Sequence, residues 1–117
     1  MKTIEFMKLT LVLDTKAKIQ LEDKIGGSPL KYIFGIGNAM EGEEMNFEKF
    51  ELPPLKVMVL AIHASAQKLN ANVSVEKVMD KVDEFLEEHS VMELFTIFIE
   101  LLKIGRYLPE DAEVVEE

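Results

Sequence analysis

Along this chain the apolar positions alternate, recur once per helical turn, or run together, and each pattern predicts an element. Residues 3–13 alternate: Leu9, Leu11 and Leu13 are interleaved with Lys8, Thr10 and Val12, the period of a strand with one buried face. Upstream, Ile4 and Phe6 alternate with Thr3 and Glu5 in the opposite phase. A phase flip at Met7 means a bulge, two separate short strands, or a leader of six residues ahead of a start at Met7. Asp14 then offers a helix cap, and Ala17, Leu21 and Ile25, four apart, predict a helix over Thr15 to Ile25 with Ile19 to one side. Gly26-Gly27 ends it, and Ser28-Pro29 opens another, whose inner side would carry Leu30, Ile33, Phe34 and Met40. Residues 41–46 read as a polar connection, and residues 47–52 as a short extended or single-turn segment.

Pro53-Pro54 opens a central helix, Leu55 to Leu69. Its first apolar face is Leu55, Met58, Val59, Ile62, Ala66 and Leu69. A shallower second face is Val57, Leu60, Ala61 and Ala64, and Lys56, His63 and Gln67 share the polar strip. After a turn at Asn70–Val73, Ser74 caps the helix Val75 to Glu88. There Val75, Val78, Met79, Val82, Phe85 and Leu86 fall within about 120° of a helical wheel. Ser90-Val91-Met92-Glu93 fits a capping box for the last helix, Ser90 to Ile104. Because only His89-Ser90 separates these two helices, they are expected as near, antiparallel neighbours. Gly105 and Pro109 end the helical part.

The last helix is the most apolar. Glu93, Thr96, Glu100 and Lys103 occupy a strip about 80° wide, and every other position from Val91 to Ile104 is apolar. A surface helix needs a stripe of roughly 100°. On this pattern the chain is organised around this helix, which must be covered on several sides. Either it is a core helix, or part of it, Phe95, Phe98 and Leu102, faces a partner. The fold class is α+β with helix dominant: an N-terminal β element packed on about five helices. Residues 1–109 form a single domain, and residues 110–117 an acidic tail expected to fray.

Composition narrows the function more than it defines it. Forty-eight per cent of the 117 residues are apolar, enough for one core. The formal net charge of −9 argues against nucleic-acid binding and against attachment to anionic membranes. There is no cysteine, so disulfides, thiolate nucleophiles and cysteine–zinc sites are excluded. A 14-residue apolar helix is roughly 21 Å long, against a hydrocarbon core of roughly 30 Å, so no membrane span is expected. With no secretory signal visible, the expected compartment is the cytoplasm. His63 and His89 lie in different segments without a metal-ligand spacing, and Gly35-Ile36-Gly37 lacks the third glycine and the lysine of a phosphate loop. His63 is expected as a surface or interface side chain, and His89 as a helix C-terminal residue complementing the dipole. The carboxylates lie mainly on solvated helix faces and in the tail. No enzyme, cofactor or metal is expected.

Three runs resemble a known family. They are Lys8 to Ala17 continuing through Leu21–Leu30, Leu60–Asn70, and Val78–Leu86 with its Asp-x-x-Asp-Glu-Phe-Leu helix. Together they are similar to the small tail assembly chaperones of long-tailed bacteriophages and prophages of Gram-positive hosts. The likeness covers most of residues 8–104. It implies a non-enzymatic role: binding the tape measure protein and helping tail tube protein polymerise around it, in the host cytoplasm. It also implies that a longer, frameshifted form is made in many relatives. A homo-oligomer is compatible with the same surface. The other classes left open are a small acidic adaptor that meets a basic protein, and an enzyme accessory or small-ligand protein.

Overall fold

The computed structural model describes residues 2–33, 40–41, 44–45, 52–70 and 72–109. An antiparallel hairpin comes first: β1, Ile4–Phe6, and β2, Leu9–Leu11. Its helices are α1, Thr15–Ile25; α2, helical at residues 30–33; α3, Leu55–Ala66; α4, Val75–Leu86; and α5, Val91–Ile104. A second, two-residue antiparallel ladder joins β3, Met40–Glu41, to β4, Glu44–Met45. The fold is α+β and helix-dominant, as the pattern predicted.

Local chemistry sets the ends. The hairpin turns at Met7 and Lys8, both at positive φ (46° and 69°), and pairs Phe6 with Leu9 and Ile4 with Leu11. A two-residue turn of this kind matches the twist of the flanking strands. It also explains the phase flip: two short strands, one bend and no bulge. Asp14 accepts a hydrogen bond from the Ala17 N–H (2.9 Å) and starts α1, and Gly26, at φ 76°, ends it. Ser74 caps α4 through the Lys77 N–H, and Ser90 and Glu93 form the capping box of α5. The second helix was expected to reach Met40, but Met40 is the first residue of β3. Two glycines in that stretch lower helix propensity by about 1 kcal/mol each. Phe34, Gly35 and Gly37, the segment 47–51 and the tail 110–117 lie outside the described residues.

The centre of the fold is α3, not α5. Nine of its twelve residues, from Val57 to Ala66, are buried. It packs against α1, α4, α5 and β2. Both apolar faces are therefore used, and Ala61, Ala64 and Ala66 keep the helix narrow enough for neighbours on several sides. The short α4–α5 connection was expected to make its two helices near, antiparallel neighbours, but they make little contact with each other and each packs instead on α3. The hairpin closes the core at one end, where the Phe6 and Phe85 rings meet at 5.2 Å.

One glycine is required for packing rather than for its backbone. Gly105 ends α5 as expected, though without the left-handed conformation that commonly closes a helix. It stays right-handed at φ −83°, and Arg106 takes the positive φ of 64°. The Tyr107 N–H then reaches the Leu102 carbonyl and the Arg106 N–H the Lys103 carbonyl, closing the helix end. A Cβ on Gly105 would come within 2.6 Å of the buried Leu13 side chain. Gly105→Ala should therefore cost about 1–2 kcal/mol through overpacking, despite alanine's better helix propensity. A denaturant melt showing a gain in stability would refute this account of Gly105.

Candidate interaction surface

Phe95, Phe98 and Leu102 are 4%, 1% and 0% exposed. The expectation that they face a partner is corrected: they are core. The Phe95 and Phe98 rings lie 6.3 Å apart, among buried Leu94, Ile99 and Leu101. The reason lies in α3. A helix buried on both faces needs broad apolar neighbours, and α5 supplies one of them. The surplus read from the sequence of α5 is used up inside the subunit. What α5 turns outward is Met92, Glu93, Thr96 and Glu100, with Val91 at its start.

Among the described residues the large apolar side chains that are exposed are Ile19, Leu55, Leu69, Met79, Val91 and Met92. They come from different elements, except for the adjacent Val91 and Met92. Met79 was expected inside with Val78, Val82 and Phe85, yet it is 49% exposed. On the wheel it lies about 90° from the middle of those three, at the rim of the apolar arc. That rim position was the available sequence signal, and grouping all six apolar residues concealed it. Beside Met79 on α4 runs a strip of exposed carboxylates, Glu76, Asp80, Asp83 and Glu87, spaced by one or two turns. Among the described residues none of these four is in an ion pair.

Both histidines make specific contacts. His89 stacks on the Phe85 ring (centroids 4.4 Å apart), and its Nδ1 lies 2.8 Å from Glu93 Oε2. It therefore belongs to the α4–α5 junction as well as to the end of α4. His63 Nδ1 lies 3.3 Å from Lys24 Nζ on α1. Burial first, and the Lys24 charge second, hold its pKa below the ordinary 6.5.

A depression between α1 and α3 is lined by Asp14, Lys16, Ala17, Gln20, Ala64, Gln67 and Lys68. Its one carboxylate is Asp14. The Ala17 N–H and then Lys68, at 3.1 Å, hold that carboxyl below its usual pKa. It serves as an ionised cap, tied at both oxygens, and no second carboxylate converges on it. Gln67 is likewise engaged, donating to the carbonyls of His63 and Val73. Among the described residues no group of three or more metal-ligating side chains comes together, and no helix is long and apolar enough to cross a membrane.

No family model, no curated protein and no solved structure matches this chain.

Proposed function

We propose that the protein is a non-enzymatic tail assembly chaperone that binds the tape measure protein and assists tail tube assembly. The observation that carries this reading is the sequence resemblance over Lys8–Leu30, Leu60–Asn70 and Val78–Leu86. Those runs supply β2, α1, much of α3 and most of α4, the elements packed around the centre of the fold. A chaperone of this kind needs apolar side chains outside its core. With Phe95, Phe98 and Leu102 inside, that role falls to Met79 and Met92, each about half exposed. Methionine suits the task because its unbranched, polarisable side chain adapts to varied apolar partners.

Co-expression with the tape measure protein of the same phage, followed by pull-down, is the test. The wild-type chain should retain and solubilise the client. Met79→Glu with Met92→Glu should lower retention several-fold, while the thermal melt stays within about 0.5 kcal/mol of wild type, the usual range for surface changes. Failure of the wild-type chain to retain the client would remove the chaperone reading. Unchanged retention by the double variant would remove only these two residues from it.

A second reading has one specific observation in its favour. The strip Glu76, Asp80, Asp83 and Glu87, without an ion pair among the described residues, fits a small acidic adaptor that meets a basic protein. It predicts binding that weakens steeply with salt, whereas an apolar client would stay bound.

A further inference from the structure

Lys24 Nζ and His63 Nδ1 meet at 3.3 Å where α1 crosses α3. An ammonium has only protons to give, so this contact is a hydrogen bond only when the imidazole is neutral and Nδ1 offers its lone pair. When the ring takes a proton, two cations stand at the same separation. We propose that the contact is a pH-sensitive latch: neutral His63 ties the C-terminal half of α1 to α3, and protonation releases it.

The surroundings of His63 favour such a response. From α1 it is faced by Lys24. From the turn after α3 the Val73 carbonyl faces it as an acceptor and alone favours the protonated ring, and among the described residues α4, α5 and β2 bring no charged group to bear on it. Its own helix contributes Gln67, already bonded to the His63 and Val73 carbonyls, and the exposed Lys56. Among the described residues no carboxylate is therefore placed to neutralise the imidazolium. The lowered pKa points the same way. The folded state binds the proton less readily than the unfolded state, so stability is fully present above about pH 6.5 and declines as the pH falls from there.

Release would be local. Asp14 and Lys68 pin the start of α1, the Lys18 ammonium donates to the Gly105 carbonyl at 2.8 Å, and the Tyr107 hydroxyl donates to Glu22 at 2.5 Å. Asp14 titrates well below this window and Tyr107 well above it, so both hold while His63 changes. The segment left to loosen is the end of α1 beyond Glu22, where Ile25 is half-buried and its carbonyl has a long contact, 3.4 Å, from the exposed Lys31.

Amide hydrogen exchange on the full chain between pH 7.5 and 5.5, corrected for intrinsic rates, tests the latch. Protection at residues 23–25 should fall several-fold, following the His63 ring signal by NMR, while α5 amides hold their protection. His63→Gln keeps an acceptor for Lys24 and should abolish the pH dependence. Lys24→Met, as an independent variant, should raise the His63 titration and weaken the dependence. Constant protection in the wild type, the same dependence in His63→Gln, or a His63 ring titrating at or above 6.5 would each overturn the proposal.

Discussion

Phe98→Asp is expected to leave the chain unfolded, with loss of helical circular dichroism at room temperature and no cooperative melt. Phe98 is 1% exposed and is among the largest fully buried side chains. Removing the ring alone costs about 3–5 kcal/mol, as for other buried aromatics. An unpaired carboxylate in its place adds several more, or must take up a proton to be tolerated. Domains of this size have only about 5–15 kcal/mol of total stability. Leu102→Ala, at a position 0% exposed, should give the graded version, a loss of about 2–5 kcal/mol by denaturant titration. A Phe98→Asp protein that melts like the wild type but no longer binds its client would put this face back on the outside and reverse the correction.

Asn70→Ala should cost about 2–3 kcal/mol, a fall of roughly 10 °C or more in Tm. The outer edge of β2 exposes the N–H and C=O of Thr10, which do not point toward β1 because Glu5 and Thr10 form a non-hydrogen-bonded pair. The Asn70 amide meets both. Its Oδ1 accepts from the Thr10 N–H at 3.2 Å, and its Nδ2 donates to the Thr10 carbonyl at 2.7 Å. The same Nδ2 also donates to the Ala66 carbonyl at the end of α3, at 2.8 Å. One side chain thus does for β2 what a third strand would do, and fastens the hairpin to the central helix. Just beyond it, the Val12 N–H donates to the Ser65 carbonyl, continuing the same edge. Asn70→Asp keeps the acceptor and loses both donations, so it should recover little. A loss below about 0.5 kcal/mol for Asn70→Ala would show that water replaces the amide without cost.

Neither of these effects is visible without coordinates. In the sequence Asn70 is one polar residue of a turn, and its partner Thr10 is 60 positions away. Nothing in its neighbours distinguishes it from Asn72. Gly105 is similar: it follows a helix, so a helix terminator is the natural expectation. Only the approach of Leu13, from the other end of the chain, shows why a side chain is not admitted there. The Lys24–His63 contact also joins residues 39 apart, and each reads alone as an ordinary polar position. Of the candidate surface, the solvated placement of the helix carboxylates was legible and the rim position of Met79 could have been read, whereas the burial of Phe95, Phe98 and Leu102 could not.

What the sequence determined by itself is where the elements start, where most of them stop, and which side of each is polar. Asp14, Ser74 and the Ser90–Glu93 box placed the starts of α1, α4 and α5 because a cap is a contact between near neighbours in the chain. What the tertiary structure decided is which of the two strongly apolar helices stands in the middle. Apolar periodicity reports how much surface must be covered and is silent on what covers it. α3 took the centre because its alanines admit neighbours closely on both faces, and α5 then spent its phenylalanines and leucines covering it.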